Sequence, residues 1–243
     1  MKKFKSLFVE KKNSGKILLS LKKNHFDSIS KDEIVIKVSY SSLNFKDVLL
    51  CTGNPGLIRK FPHIPGIDAA GKVFISNNKK FKVGDKVMVV ARPIGVKTMG
   101  GFSEYLKVPF KWVEKIPNKL SEKQIMIFGT AGFTAAKTIL SLKNLSRKKK
   151  PILISGASGG VGIFSIILLL NLGFNLTAIT SRNKSKFLKK IGVSNLIFYD
   201  EFIKKSNLPL LKMKYSNMID NTGGATITEG IKQLEKNGKI YLI

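Results

Sequence analysis

The sequence predicts an α/β protein in two parts: a β-rich N-terminal portion forming a small barrel, and a C-terminal portion built on a parallel doubly wound sheet. Three observations predict it. Up to about residue 116 the chain reads as short β-like runs punctuated by turn residues, and from Pro151 strand and helix patterns alternate. The first strand of that alternation runs into a glycine-rich turn that opens a helix.

In the N-terminal portion, Ile34 to Val38 reads as a strand with β-branched bias and Gly71 to Ile75 as another, and the turn at Val83 to Lys86 feeds a third at Val87 to Val90. Glycine and proline recur at Pro55-Gly56, Pro65-Gly66 and Pro93, and Phe45 to Thr52 is the one short helix candidate. Short strands in series with so little helix point to a barrel. The pattern changes at Pro117. Ser121 followed by Gln124 forms a capping box, and a helix is expected from Glu122 to about Leu142, which places the domains at 1–120 and 121–243. Strands then follow at Ile152 to Ser155, Leu176 to Thr180, Leu196 to Tyr199, Met218 to Asp220 and Lys239 to Ile243. Helices separate them at Gly160 to Leu172, Lys184 to Ile191 and Thr226 to Lys236. A six-stranded dinucleotide fold continues beyond a fifth strand, so the fold is expected to be C-terminally incomplete. The outer edge of that last strand would then encourage association, a possible homodimer.

Composition narrows the classes. The 243 residues are 43% apolar and 9% aromatic, which is globular, and the single cysteine, Cys51, excludes an internal disulfide or a cysteine-based zinc site. The net charge is +28, shared almost evenly as +15 and +13 between residues 1–120 and 121–243. Only four of the bases are arginine (Arg59, Arg92, Arg147, Arg182), and no reading helix or stacking platform is visible. The reading is therefore a lysine-biased surface without a nucleic-acid partner, and the run Arg147 to Lys150 a solvated loop. The longest apolar run, Val161 to Leu170, is too short to span a bilayer and no signal peptide is evident, so no membrane partner and a cytoplasmic location are expected.

The most informative stretch is Ile152-Leu153-Ile154-Ser155-Gly156-Ala157-Ser158-Gly159-Gly160-Val161-Gly162. Gly156 permits the tight turn, Gly159 and Gly160 let the backbone approach a pyrophosphate, and Gly162 allows close helix packing. The helix N-terminus then presents free N–H groups to phosphate, so Ser158, Gly159, Gly160 and Val161 are candidate cofactor contacts; a plain glycine-rich turn is the alternative. An acid at the end of the second strand would bind the ribose hydroxyls of NAD, and none is present. The strand ends Thr180-Ser181-Arg182-Asn183-Lys184, whose hydroxyls and cations suit the 2′-phosphate of NADPH; ordinary surface bases are the alternative reading of Arg182 and Lys184. Asn221, just past the strand ending at Asp220, sits where a cofactor ribose would pass.

Three further stretches carry a resemblance: Ser41-Ser42-Leu43-Asn44-Phe45-Lys46-Asp47, Phe61-Pro62-His63-Ile64-Pro65-Gly66-Ile67-Asp68-Ala69-Ala70-Gly71, and Gly129-Thr130-Ala131-Gly132-Phe133-Thr134-Ala135. With the two-part organisation, they resemble the medium-chain dehydrogenase/reductase superfamily, and within it the acryloyl-CoA reductase branch, also known as YhdH/YhfP-type quinone oxidoreductases. The resemblance runs from the N-terminus to residue 243 and implies a GroES-like catalytic domain and a Rossmann NADP-binding domain. It implies hydride transfer from NADPH to the activated C=C bond of a short enoyl-CoA, acryloyl-CoA in first place, with a quinone or enone as the alternative substrate. From another class, a nucleotide-binding fragment without turnover is the further alternative.

Within the resemblance, Asn44 and Thr130 are the candidate catalytic residues and Phe45 a cofactor contact, with Thr130 beside the nicotinamide. Asn44 and Ile67 stand where zinc-dependent relatives carry their cysteine and histidine ligands, so no metal is expected. The residue after the asparagine, often tyrosine in this branch, is Phe45 and cannot donate a proton. Asp47 and Asp68 are read as structural groups holding the barrel loops, His63 as a loop histidine satisfied by backbone, and Cys51 as a small buried hydrophobe.

Overall fold

A computed structural model describes residues 3–26, 28–58, 60–142, 150–204 and 212–243, in two compact units, 1–133 and 134–243. Arg59 and most of the basic run at 147–150 lie outside the described residues.

The first unit is built on a five-stranded antiparallel sheet. Strand β3 (Glu33–Tyr40) pairs with β4 (Ala69–Ser76) on one side and β6 (Tyr105–Pro109) on the other; β5 (Lys86–Val89) and the short β7 (Glu114–Lys115) continue it. Ile34 and Ile36 of β3 point into a core with Val73, Phe81, Val87 and Leu106, while Val35 on the opposite face is covered by Phe4 and Tyr105. Burial on both faces explains why β3 reads as a continuous apolar run. Its pairing with β4 shifts register twice, between Val35 and Ile36 and between Val38 and Tyr40.

A hairpin of β1 (Phe4–Lys11) and β2 (Ile17–Asn24) joins this unit through bridges from Ser6 to Ser103 and from Val9 to His63. Neither it nor β6 is among the strands expected from sequence. The period-two signal in β1 is masked because polar Ser6 is buried, its hydroxyl 2.7 Å from that of Ser103. Helix α1 (Phe45–Cys51) lies where expected. Helix α2 (Glu122–Ser141) starts at the expected capping box, with the Ser121 N–H donating to Gln124 Oε1 and the Gln124 N–H to Ser121 Oγ. It breaks at Gly129, whose φ of 47° and ψ of −153° are not helical.

The second unit is the expected parallel doubly wound sheet. Its strands are β8 (Ile152–Ile154), β9 (Leu176–Thr180), β10 (Asn195–Phe198), β11 (Met218–Asp220) and β12 (Ile240–Leu242), in the spatial order β10-β9-β8-β11-β12. All pairs are parallel, and the order reverses direction between β8 and β11. Ligands in such sheets bind outside the carboxyl ends of the strands at that point. Helix α3 (Gly160–Asn171) follows β8 and packs Ile166 and Leu169 onto Ile152, Ile154 and Ala178. Helix α4 (Ser185–Lys190) follows β9, and α5 (Tyr199–Phe202) follows β10 at once, one residue earlier than the strand was expected to end.

Helix α6 (Ala225–Ile231) stops well short of Lys236. There the backbone is drawn into pairing with residues 214–215: the Lys214 N–H donates to Gln233 O, and the Glu235 N–H to Tyr215 O. Long-range pairing thus overrides local helical preference. Among the described residues, no helix is long and apolar enough to cross a membrane.

Candidate functional site

In the first unit, a fully buried carboxylate gathers three of the sequence motifs. Asp68 Oδ2 accepts from Ser42 Oγ at 2.5 Å, from the Asn44 side-chain nitrogen at 2.9 Å and from the Thr130 N–H at 2.8 Å, while Oδ1 accepts from the Thr130 hydroxyl at 2.5 Å. The candidate catalytic residues Asn44 and Thr130, 86 positions apart in the chain, are thereby held on one acidic group.

Local backbone makes the convergence possible. A side chain on Gly129 would place its Cβ 2.6 Å from Ser42 Oγ and 2.8 Å from Asp68 Oδ2, and its positive φ is itself unfavourable for other residues. A second buried carboxylate, Asp47, accepts from the backbone N–H groups of Asn44, Gly66 and Ile67 at 2.9–3.1 Å and lies 3.4 Å from the Asn44 side-chain nitrogen. Burial pushes the Asp47 carboxyl above its ordinary value, and these hydrogen bonds only partly counter it. Around the cluster, Leu43 and Phe45 are strongly exposed at 76% and 78%, so Phe45 presents an open aromatic face.

The other motif residues of this unit are engaged elsewhere. Ile67 is buried with Val9, Leu50 and Ile58, and His63 Nε2 lies 2.6 Å from the Gly95 carbonyl, as a backbone-satisfied histidine should. Burial, and then the nearby charge of Asp47, hold the Cys51 thiol above its ordinary pKa, which disfavours a reactive thiolate.

In the second unit, the glycine turn lies at the reversal point of the sheet. Gly156 has a φ of 55°, and Gly159 and Gly160 are exposed at the start of α3, where the first helical N–H groups have no partner within the helix. Gly162 is tight for a reason different from the one expected. A Cβ there would collide with the Gly156 carbonyl and the Ala157 backbone, so this glycine closes the turn on itself. Ser158 and Val161 are half-buried on the same turn.

The loop after β11 is tied to this turn. Asn221 donates its side-chain N–H to the Ser155 carbonyl at 2.8 Å and its backbone N–H to Ser155 Oγ at 2.9 Å, leaving the buried Asn221 Oδ1 without a hydrogen-bond partner. Beneath it, Asp220 accepts from Ser155 at 2.5 Å, Gly223 N–H at 2.7 Å and Thr226 at 2.8 Å. Burial pushes the Asp220 carboxyl up, but these donors together with Thr222 outweigh it and hold it below its ordinary value.

At the end of β9, Thr180 is buried, with its hydroxyl 3.5 Å from the Ser181 carbonyl, while Ser181 donates to Asn183 Oδ1. Arg182 stacks over the Phe198 ring at 4.2 Å and reaches Glu201 at 2.8 Å and Asp200 at 3.3 Å. Sequence reading missed this pairing, along with the Ser155–Asp220 support and the central place of Asp68. An acid in a motif is visible in sequence, but its partners come from chain segments far away.

Comparison with known proteins follows the same division. Residues 30–118 match the alcohol dehydrogenase GroES-like domain. The putative quinone oxidoreductase YhfP of Bacillus subtilis is 35% identical over 98% of this chain and 72% of its own length. The chain belongs to the YhdH/YhfP branch of the medium-chain dehydrogenases/reductases. The acrylyl-CoA reductase AcuI of Ruegeria pomeroyi, of the same branch, is 33% identical over 99% of this chain and 74% of its own length.

Two crystal structures of the branch superimpose with TM-scores of 0.90. The YhdH oxidoreductase of Salmonella enterica, solved with NADP, is 32% identical and matches 98% of this chain and 74% of its own. The Bacillus subtilis YhfP structure, solved with NAD, is 34% identical and matches 100% of this chain and 74% of its own.

Proposed function

We propose that this chain is a zinc-independent, NADPH-dependent reductase of an activated C=C bond, acting on a short enoyl-CoA and converting acryloyl-CoA to propanoyl-CoA. The observation that carries it is the Gly156–Gly162 turn at the sheet's reversal point beside the unpartnered Asn221 Oδ1. The pair suits a pyrophosphate on helix N–H groups and a ribose hydroxyl in need of an acceptor. Residues 1–120, joined by Thr130 from the start of the next part, serve as the catalytic part, and the rest of 121–243 as the nucleotide-binding part.

The dinucleotide, when bound, supplies a hydride to the β-carbon of the enoyl group. The chain binds its phosphates through Ser158, Gly159, Gly160 and Val161 and its adenosine ribose through Ser181 and Arg182, at the end of the strand closed by Thr180. The residues that end β9 include no acid, and Arg182 stands among them with Glu201 and Asp200 already paired to its guanidinium; this supports NADPH over NADH. Thr130, Asn44 and Phe45 orient the nicotinamide end and the acyl group. Phe45 has no proton to give, so the proton at the substrate α-carbon comes from elsewhere. Ile67 and Asn44 at the two zinc-ligand positions support a metal-free reaction.

A quinone is the second reading, supported by the name of the YhfP relative. Steady-state oxidation of NADPH by chelator-washed protein, with acryloyl-CoA beside a benzoquinone, separates them. Turnover of the thioester is expected; turnover of the quinone alone removes the thioester assignment, and dependence on added zinc removes the metal-free one.

A further inference from the structure

We infer that Asp68 is a positioning residue that fixes the hydrogen-bond polarity of the catalytic cluster, so that Thr130 meets its ligand only as an acceptor and Asn44 has no free donor to offer it. The inference rests on the proposed assignment of Thr130 to the nicotinamide end. A carboxylate accepts and does not donate, and Asp68 faces a backbone N–H, two hydroxyls and an amide nitrogen. The Thr130 backbone N–H has no choice of role, which fixes Oδ2 as an acceptor. The short contact of the Thr130 hydroxyl with Oδ1 then takes its only hydrogen, leaving lone pairs outward.

The amide of Asn44 is limited in the same way. One of its hydrogens goes to Asp68 Oδ2 at 2.9 Å, and the other faces Asp47 Oδ2 at 3.4 Å. Neither residue can then stabilise negative charge on a thioester oxygen by donating to it. Thr130, half-buried, is instead suited to receive a donor, and the carboxamide N–H of a nicotinamide is the group of that chemistry.

The test compares binding of NADPH with that of its reduced 3-acetylpyridine analogue, in which a methyl group replaces the carboxamide nitrogen. By titration of the wild-type chain, NADPH is expected to bind about tenfold more tightly, the worth of one hydrogen bond left unmade. In Asp68→Asn the amide can donate to Thr130 and release its hydroxyl outward, so the preference is expected to collapse or reverse. A merely structural role would weaken both ligands alike and leave the ratio intact.

Thr130→Val, which keeps the backbone bond to Asp68, is expected to lose the ratio, and Thr130→Ser to keep it. Equal binding of the two ligands by the wild type, or an intact ratio in Thr130→Val, overturns the inference while leaving NADPH binding standing. No binding of either ligand by the folded wild type overturns the proposed function, and this inference with it.

Discussion

Thr130 donates both its backbone N–H and its hydroxyl to Asp68, at 2.8 Å and 2.5 Å, although the two residues are 62 positions apart. A residue held twice by one buried carboxylate has little rotational freedom, so the lone pairs left on its hydroxyl are held in a fixed direction. The hinge that permits it is Gly129, and the first expectation concerns that glycine.

Gly129→Ala introduces a methyl group into space filled by Ser42 Oγ and Asp68 Oδ2, at a backbone angle that disfavours any side chain. Destabilisation of about 2–3 kcal/mol is expected, from strain and the displaced hydrogen bonds together. Urea unfolding followed by circular dichroism measures it; a change under 0.5 kcal/mol would show that the kink relaxes freely.

Asp220 and Asp47 are expected to give opposite pH signatures. The Asp220 carboxyl is held low in the fold, so its contribution is full above the ordinary carboxylate range near pH 4 and fades as pH falls through its folded value. Asp220→Asn should therefore be destabilised by about 1–3 kcal/mol at neutral pH, with the deficit shrinking in acid. The Asp47 carboxyl is held high, so its contribution is full at low pH and is lost as pH rises through its folded value. Relative to wild type, Asp47→Asn should gain as pH rises from about 4. Unfolding curves between pH 3 and 7 check both, and parallel curves for the two variants would contradict the assignment.

Arg182 is the residue expected to separate the cofactors. Its guanidinium is oriented by Glu201, Asp200 and the Phe198 ring, and all three charged groups are largely exposed. Arg182→Ala should weaken NADPH by roughly tenfold and leave NADH unchanged, since only the former brings a 2′-phosphate. Titration calorimetry with each nucleotide reads the ratio, and equal losses for both would place the selectivity elsewhere.

The parts of this fold that were legible in the sequence are those in which one local signal suffices. The β8–turn–α3 unit was readable because Gly156, Gly159 and Gly162 follow an apolar strand at fixed spacing, and the start of α2 because Ser121 and Gln124 cap it. Strand β1 was hidden because its inward Ser6 is satisfied by Ser103, nearly a hundred residues away. The end of α6 was misplaced because residues 233–235 pair with residues 214–215, a contact no local pattern reports.

The site divides in the same way. Motif position makes Asn44, Thr130 and Arg182 candidates, whereas the hydrogen bonds that gather Asn44 and Thr130 on Asp68 and the carboxylates around Arg182 depend on which loops meet. A buried acid that looks structural in sequence becomes informative only when its donors are counted.

Binding of NADPH to the folded chain tests the account at its centre. Isothermal titration should give a saturable heat at one site per chain, together with thermal stabilisation that grows with ligand concentration. A chain that is folded by circular dichroism yet shows neither heat nor stabilisation with NADPH would contradict it.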